Sequence, residues 1–360
     1  MSEEEPTFAD EEAYLDSFHQ NIIQNRKYKE QKNFGQEDDM NKESVQLKIS
    51  NEDAVKSLDS LFKNVIKNIE KIQQKGRSIT GLSTGFVELD EKIQGLHKGD
   101  LIVAAARPNM GKTTFAINLI ESMIFGSDEP AILFSMQNSA KSIVERLISA
   151  SASIKQKRLL KGELKDGDWV RLTTMMSQSQ LHNVNLYVDD TSTQLSQIRD
   201  CARKIAKKHY GKVGIVIVDH LQLMASSDLD NDREIITRGL KELAQELNCP
   251  VIALSQLRPS LELRTDKRPI LSDMYDASFI EQYADLIMFI YRDELYIRKS
   301  EAKGIAEIIL ARNKNGPTST VRLAFQRKFA RFTNLSSDHY PSEDIQATAS
   351  QIQTPLKFKI

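Results

Sequence analysis

Hydrophobic and polar positions divide the chain into three zones. Residues 1 to about 50 are polar and poor in aliphatic side chains; the first sixteen carry seven acidic residues and no basic one, and Tyr28–Lys32 turns locally basic. Such a segment buries too little apolar surface to offset the entropy of folding, which predicts an acidic tail, disordered or weakly helical. Phe18, Ile22 and Ile23 permit the alternative of a short docking helix. From Asn51 the period changes. Val55, Leu58, Leu61, Phe62, Val65, Ile66, Ile69 and Ile72 recur at three- and four-residue steps, the spacing of one apolar helix face. With Asn51 as N-cap and Gly76 as stop, residues 51–77 read as an amphipathic linker helix. It must dock elsewhere, on its own core or on a neighbouring subunit.

Residues 78–333 alternate strands and helices. Leu101–Ala106, Ala131–Ser135, Asn185–Asp189, Ile215–Asp219, Val251–Ser255 and Leu286–Tyr291 are short, apolar and mostly unalternated, as strands covered on both faces are. Helical segments between them predict an α/β fold, a doubly wound, mostly parallel sheet. Ile305–Ala311, Thr320–Phe325 and Ala330–Phe332 add an antiparallel C-terminal edge, with Asn315-Gly316-Pro317 as its first turn. Residues 334–360 read as a loose C-terminal tail.

Composition changes little in this picture. The chain has 360 residues, 40% of them hydrophobic, enough for a large core without disulfide or metal. Cys201 and Cys249 form no C-x-x-C pair and read as buried free thiols. The start, Met-Ser-Glu-Glu-Glu, has no basic n-region, and no apolar run is long enough to span a bilayer, so a cytoplasmic protein without membrane attachment is expected. A net charge of −1 means that nucleic acid, if bound, meets a local basic surface rather than a global field.

Chemistry enters at Ala106, Arg107, Pro108, Asn109, Met110, Gly111, Lys112, Thr113 and Thr114, which follow an apolar strand and open a helix. In that setting successive backbone N–H groups wrap the phosphates of ATP, and the helix dipole favours their charge. Lys112 is expected on the β- and γ-phosphates and Thr113 on Mg2+. Ala106 stands where the strict pattern has glycine, at little cost if its φ is negative. Asp219 ends an apolar strand read as lying beside the phosphate-loop strand, from which it would reach Mg2+ through water; capping a helix is the plainer alternative. Gln256, ending the next strand, is placed to sense the γ-phosphate.

Several strings together are similar to the motor domain of the DnaB family, a RecA-like P-loop ATPase. They are Ile79-Thr-Gly-Leu-Ser-Thr-Gly-Phe, Glu88-Leu-Asp, Gly95-Leu, then Asp100 through the phosphate loop. Asp219-His-Leu-Gln-Leu-Met, Ala253-Leu-Ser-Gln-Leu, Asp266-Lys-Arg-Pro, Ile280-Glu-Gln-Tyr-Ala-Asp and Lys314-Asn-Gly-Pro follow in the family's order, over residues 79 to 333. The resemblance implies a ring, a hexamer, with ATP and Mg2+ between subunits and single-stranded DNA in the channel. It likens the 52–75 helix to the linker by which each subunit grips its neighbour.

Four departures from the family pattern accompany it. Met136-Gln137-Asn138 stands where the family has Leu-Glu-Met, so Gln137 replaces the presumed base for the attacking water; glutamine orients water but takes no proton. Arg312 and Lys314 exchange the family's Lys and Arg, the latter its arginine finger; Lys314 lacks the planar two-pronged geometry, and Arg312 acting in its stead is the alternative. Tyr275, Asp276 and Ser278 lie in Asp273–Phe279, the counterpart of the family's DNA loop. Tyr275 there replaces a phosphate-contacting arginine and Ser278 a glycine, which predicts weaker DNA binding, although the Tyr275 ring could still stack on a base. Residues 1–50 are too short for the family's globular N-terminal domain, so its primase recruitment is expected to be absent or reorganised. Two readings follow: a ring-forming, ATP-dependent replicative DNA helicase, or a catalytically impaired relative that binds ATP and co-assembles with a replicative helicase or its loader. A RecA-type recombinase is disfavoured.

Remaining candidates have plainer readings. The basic stretches Lys155–Lys161 and Arg199–Lys208 are solvated helix faces, or else binding surfaces. His220 is a local packing or hydrogen-bonding residue, Arg292-Asp293-Glu294 a structural ion pair, and Trp169 a core residue.

Overall fold

The computed structural model describes Leu58 and residues 79–178, 185–224 and 230–335. The chain divides into Met1–Lys67 and Asn68–Ile360. Of the first unit only Leu58 is described, helical and exposed. The acidic tail, the rest of the 51–77 helix and the tail from residue 336 lie outside the described residues.

Within the second unit nine described strands form one sheet. They are β1 Leu101–Ala106, β2 Ala131–Ser135, β3 Leu186–Asp189, β4 Ile215–Asp219, β5 Val251–Gln256, β6 Leu286–Tyr291, β7 Ile305–Asn313, β8 Ser319–Gln326 and β9 Arg331–Asn334, in the order β3-β2-β4-β5-β1-β6-β7-β8-β9. Strands β1 to β6 pair in parallel, and β7 to β9 extend the β6 side antiparallel, as expected. Boundaries differ from the sequence reading by one to two residues, where ladder pairing carries polar residues past the end of the apolar run. One placement differs more. β4 is not beside β1: β5 lies between them, so Asp219 is one strand further from the phosphate loop than expected.

Eight described helices connect these strands: α1 Val87–Ile93, α2 Lys112–Gly126, α3 Ala140–Ser151, α4 Gln156–Lys161, α5 Asp166–Gln178, α6 Leu195–Lys208, α7 Asp230–Leu247 and α8 Ala277–Tyr283. Alternate strand residues serve two cores. Ile102, Ala104, Leu133, Ile217, Ile252 and Met288 face Phe115, Leu119, Ile120 and Met123 of α2. Leu101, Val103, Ile132, Val216, Val251 and Ile287 face Ile198 and Ala202 of α6 and Leu240 and Leu243 of α7. All residues of β1, β2, β4 and β6 are buried, which is why they read as unbroken apolar runs. The Gly81 and Gly95 strings close the domain start, where Leu82 bridges Leu96; a Cβ on Gly81 would lie 2.6 Å from the Leu96 carbonyl oxygen.

Two arginines of the basic α6 face are taken up within the fold, while Lys204, Lys207 and Lys208 stay exposed as a solvated helix face does. Arg199 pairs with Glu242 at 2.5 Å, and Arg203 grips both oxygens of Glu246 at 2.6 and 2.9 Å, zipping α6 to α7. In the other basic stretch Arg158 pairs with Asp168 at 3.1 Å. That pair displaces Trp169 from the core position expected for it: Trp169 is 54% exposed. Asp168 occupies the inward position of α5, held by Arg158, Arg171 and the Lys165 N–H, and the next residue, about 100° round the helix, turns outward. Cys249 is buried and Cys201 partly buried, both free. Among the described residues no helix is long and apolar enough to cross a membrane.

Candidate active site at the strand tips

The phosphate loop bridges the end of β1 and the start of α2. Ala106 has no positive φ, so its methyl fits where the strict pattern has glycine, whereas Asn109 at φ 63° and Gly111 at φ 103° turn the chain through the left-handed region. A Cβ on Gly111 would also meet the Phe332 ring at 3.0 Å. The loop is braced from outside. Arg107 donates to Glu262 at 2.7 Å and to the Leu257 carbonyl at 3.0 Å. Arg292, ion-paired with Glu294 as expected, donates to the Asn109 carbonyl at 3.1 Å and stacks on Phe325 at 3.9 Å. No side chain caps α2, so its first N–H groups stay available to an anion.

Three predicted residues converge beside that loop. Thr113 donates its hydroxyl to Asp219 at 2.8 Å, across the tip of β5. Asp219 therefore faces the phosphate loop instead of capping a helix. Burial pushes its carboxyl up, opposed by Thr113, Lys112 and Arg146. Burial pushes Lys112 down to about 8, with Arg107 adding to the shift and Asp219 opposing it. An arriving phosphate supplies the negative charge that restores the ammonium. ATP binding should therefore take up about half a proton at pH 8, and affinity should fall as pH rises above that value. Titration calorimetry in two buffers of different ionisation enthalpy measures the uptake; equal apparent heats would remove this role for Lys112.

Beside β4, Ser135 of β2 is level with Asp219. Ser135 and Asn138 bond each other, Ser135 Oγ to the Asn138 carbonyl at 2.7 Å, and the turn they pin presents exposed Gln137 at the same end of the sheet. Arg146 of α3, which the sequence reading missed, donates to Asn138 Oδ1 at 3.0 Å and lies close enough to oppose the upward shift of Asp219. Its own pKa is lowered by burial against the pull of Asp219, and its Nε has no hydrogen-bond partner. The signal was legible: Arg146 falls on the helix face of the buried Ile143 and Ala150, where a solvated cation does not belong.

His220 and Gln222 tie the tips of β4 and β5 together. Burial, then Lys112, pushes His220 down to about 3, so it is neutral. Gln222 uses Nε2 toward Ser255 Oγ at 2.9 Å, and its Oε1 receives the Gln256 N–H at 3.1 Å. That oxygen is therefore the acceptor for His220 Nδ1–H at 3.1 Å, which sets the tautomer and makes His220 the hydrogen-bonding residue expected.

Tyr275, Asp276 and Ser278 lie at this same end of the sheet, because Met274 bridges Leu257 just past β5. Asp276, at φ 58°, is paired with Arg233 of α7 at 2.7 Å; Tyr275 is half-buried and Ser278 exposed. Arg312 and Lys314 are not brought to the site. β7 runs antiparallel, so they sit beside the starting ends of β1 and β6, roughly 17 Å of strand from the phosphate loop. There Arg312 donates to the Glu281 carbonyl, and Lys314 pairs with Asp285 at 3.1 Å.

A phosphate loop at a parallel strand-to-helix turn, with an acidic strand tip reached across one intervening strand, defines a RecA-like P-loop α/β fold. The family model described as "DnaB-like helicase C terminal domain" matches residues 81–334. This chain belongs to that family. It is 43% identical over 294 residues to the replicative DNA helicase DnaB of Buchnera aphidicola subsp. Baizongia pistaciae, covering 80% of this chain and 63% of that protein. It is 43% identical over 289 residues to the DnaB of Pasteurella multocida, covering 77% of this chain and 62% of that one. The chain thus matches somewhat under two thirds of the length of these relatives. Among solved structures, an isolated ATPase domain superposes with a TM-score of 0.72 at 36% identity, covering 78% of this chain and 100% of that domain. A DnaB-like replicative helicase, described together with its interactions with primase, gives 0.71 at 36% identity, covering 78% of this chain and 69% of the other.

Proposed function

We propose that this chain is an ATP-driven motor of DNA replication in the cytoplasm, assembling as a hexameric ring and moving on single-stranded DNA. The observation that carries the reading is the Thr113–Asp219 hydrogen bond beside a desolvated Lys112 and an uncapped helix start. These groups fit ATP with Mg2+: Lys112 and the first N–H groups of α2 would hold the phosphates, and Thr113 and Asp219 the ion. Mg2+ would neutralise charge developing on the phosphate oxygens. Gln137 would orient the attacking water, Gln256 would report the γ-phosphate, and Arg146 would add a positive charge from the same subunit. Arg312 and Lys314, far from their own phosphate loop, suit action on a neighbour's nucleotide.

Steady-state ATP hydrolysis with and without single-stranded DNA tests this. Turnover should rise with DNA and vanish in Lys112→Ala at unchanged melting temperature. Gln137, which cannot take a proton, favours a second reading, a ring subunit that binds ATP and modulates an intact helicase. ATP binding without turnover, together with co-assembly with such a helicase, would establish that reading instead.

A further inference from the structure

We propose that Arg258, lying over the Tyr275 ring, forms with it a two-part grip for single-stranded nucleic acid, the arginine on a phosphate and the ring on a base. The inference rests on the DNA-motor reading and adds to it a residue that the sequence motifs did not single out. The Leu257–Met274 bridge, with the Arg258 N–H donating to the Asp273 carbonyl at 2.8 Å, brings the two residues together. The Arg258 guanidinium carbon lies 5.5 Å from the Tyr275 ring centroid.

The neighbouring cations are already engaged. Arg264 pairs with Asp273 at 2.7 Å, Arg268 holds both oxygens of Glu307 at 2.8 Å, and Arg233 pairs with Asp276 at 2.7 Å. Lys267 donates to the Glu262 carbonyl. Arg258 is exposed and, among the described residues, has no carboxylate partner. A guanidinium held over a ring by cation–π attraction spends no N–H donor on it, and phosphate matches the donor fork that remains. Bases in turn stack on tyrosine rings and on arginine planes alike. The loop thus presents a cation and an aromatic surface although Tyr275 occupies the place of the family's phosphate-contacting arginine.

Its position also fits a motor. Arg258 follows Gln256 by two residues, and Gln256 is held by Gln222, which His220 binds beside Asp219. A shift at the nucleotide end of β5 reaches the grip through three consecutive backbone units.

The test uses the full chain with Mg2+ and a non-hydrolysable ATP analogue, and fluorescence anisotropy of a labelled oligo-dT across a salt series. Arg258→Ala should weaken binding and flatten the dependence of log affinity on log salt by about 0.7 per engaged subunit. Arg258→Lys should keep the slope and recover part of the affinity, because it keeps charge but not the plane. Tyr275→Ala should bind roughly tenfold more weakly with its slope retained. Lys207→Ala, an exposed cation on α6, should leave slope and affinity alone. Wild-type slope and affinity in Arg258→Ala, or an equal loss in Lys207→Ala, overturns the grip and leaves the DNA-motor reading standing. No binding by the wild-type chain overturns both.

Discussion

Gln137→Glu should raise ATP turnover by ~10²–10⁴-fold, the contribution of a positioned general base. The tip of β2 is built to present such a group. Ser135 is level with Asp219 in the sheet, the Met136 N–H donates to the Asp219 carbonyl at 2.8 Å, and the Ser135–Asn138 bonds fix the turn carrying position 137. A glutamate there accepts the proton that glutamine cannot. Arg146, bonded to Asn138, would help hold it ionised at neutral pH. Kinetics with and without single-stranded DNA, beside ATP affinity, separate the possibilities. A higher kcat at unchanged ATP affinity places the limit in water activation. No gain despite normal binding would mean that another group takes the proton, or that assembly limits the rate.

Asp285→Ala should cost about 3–5 kcal/mol of stability, lowering the melting temperature by roughly 6–20 °C. Asp285 is 4% exposed and accepts from the Leu101 N–H at 2.9 Å, from Lys241 at 2.5 Å and from Lys314 at 3.1 Å. Removing it leaves the Leu101 N–H at the start of the central strand unpaired and leaves a mostly buried ammonium with only the Gly99 carbonyl at 2.8 Å and the longer ion pair to Asp100 at 3.9 Å. Burial alone would raise the Asp285 carboxyl, but the bonds from Lys241, Leu101 and Lys314 hold it below the usual carboxylate range. Its stabilisation is therefore full above the unfolded-state pKa and is lost as pH falls through the lower folded one. The gap between wild type and Asp285→Ala should narrow in acid. Thermal melts of both proteins over a pH series measure this. A gap independent of pH would show that the carboxylate's charge is not what stabilises this end of the sheet. Lys314→Ala, which removes an exposed partner, should cost far less.

The sequence by itself determined the layered fold, the phosphate loop and the family. Those depend on local rules: strands buried on both faces leave unbroken apolar runs, and a loop that turns through Asn109 and Gly111 ahead of Lys112 and Thr113 carries its chemistry in adjacent residues. Neighbours across the sheet were not legible. Nothing in the run Ile215–Asp219 says that β5 separates it from β1, since parallel strand order is set by crossovers and not by composition. Trp169 reads as core until Asp168 is seen to hold the inward position through two arginines. Arg146 beside Asp219, Lys314 on Asp285 and Arg258 on Tyr275 are contacts between segments well apart in the chain. A side chain's type predicts what it can bind. Which partner it meets depends on where the sheet brings distant backbone together, and only the tertiary structure decides that.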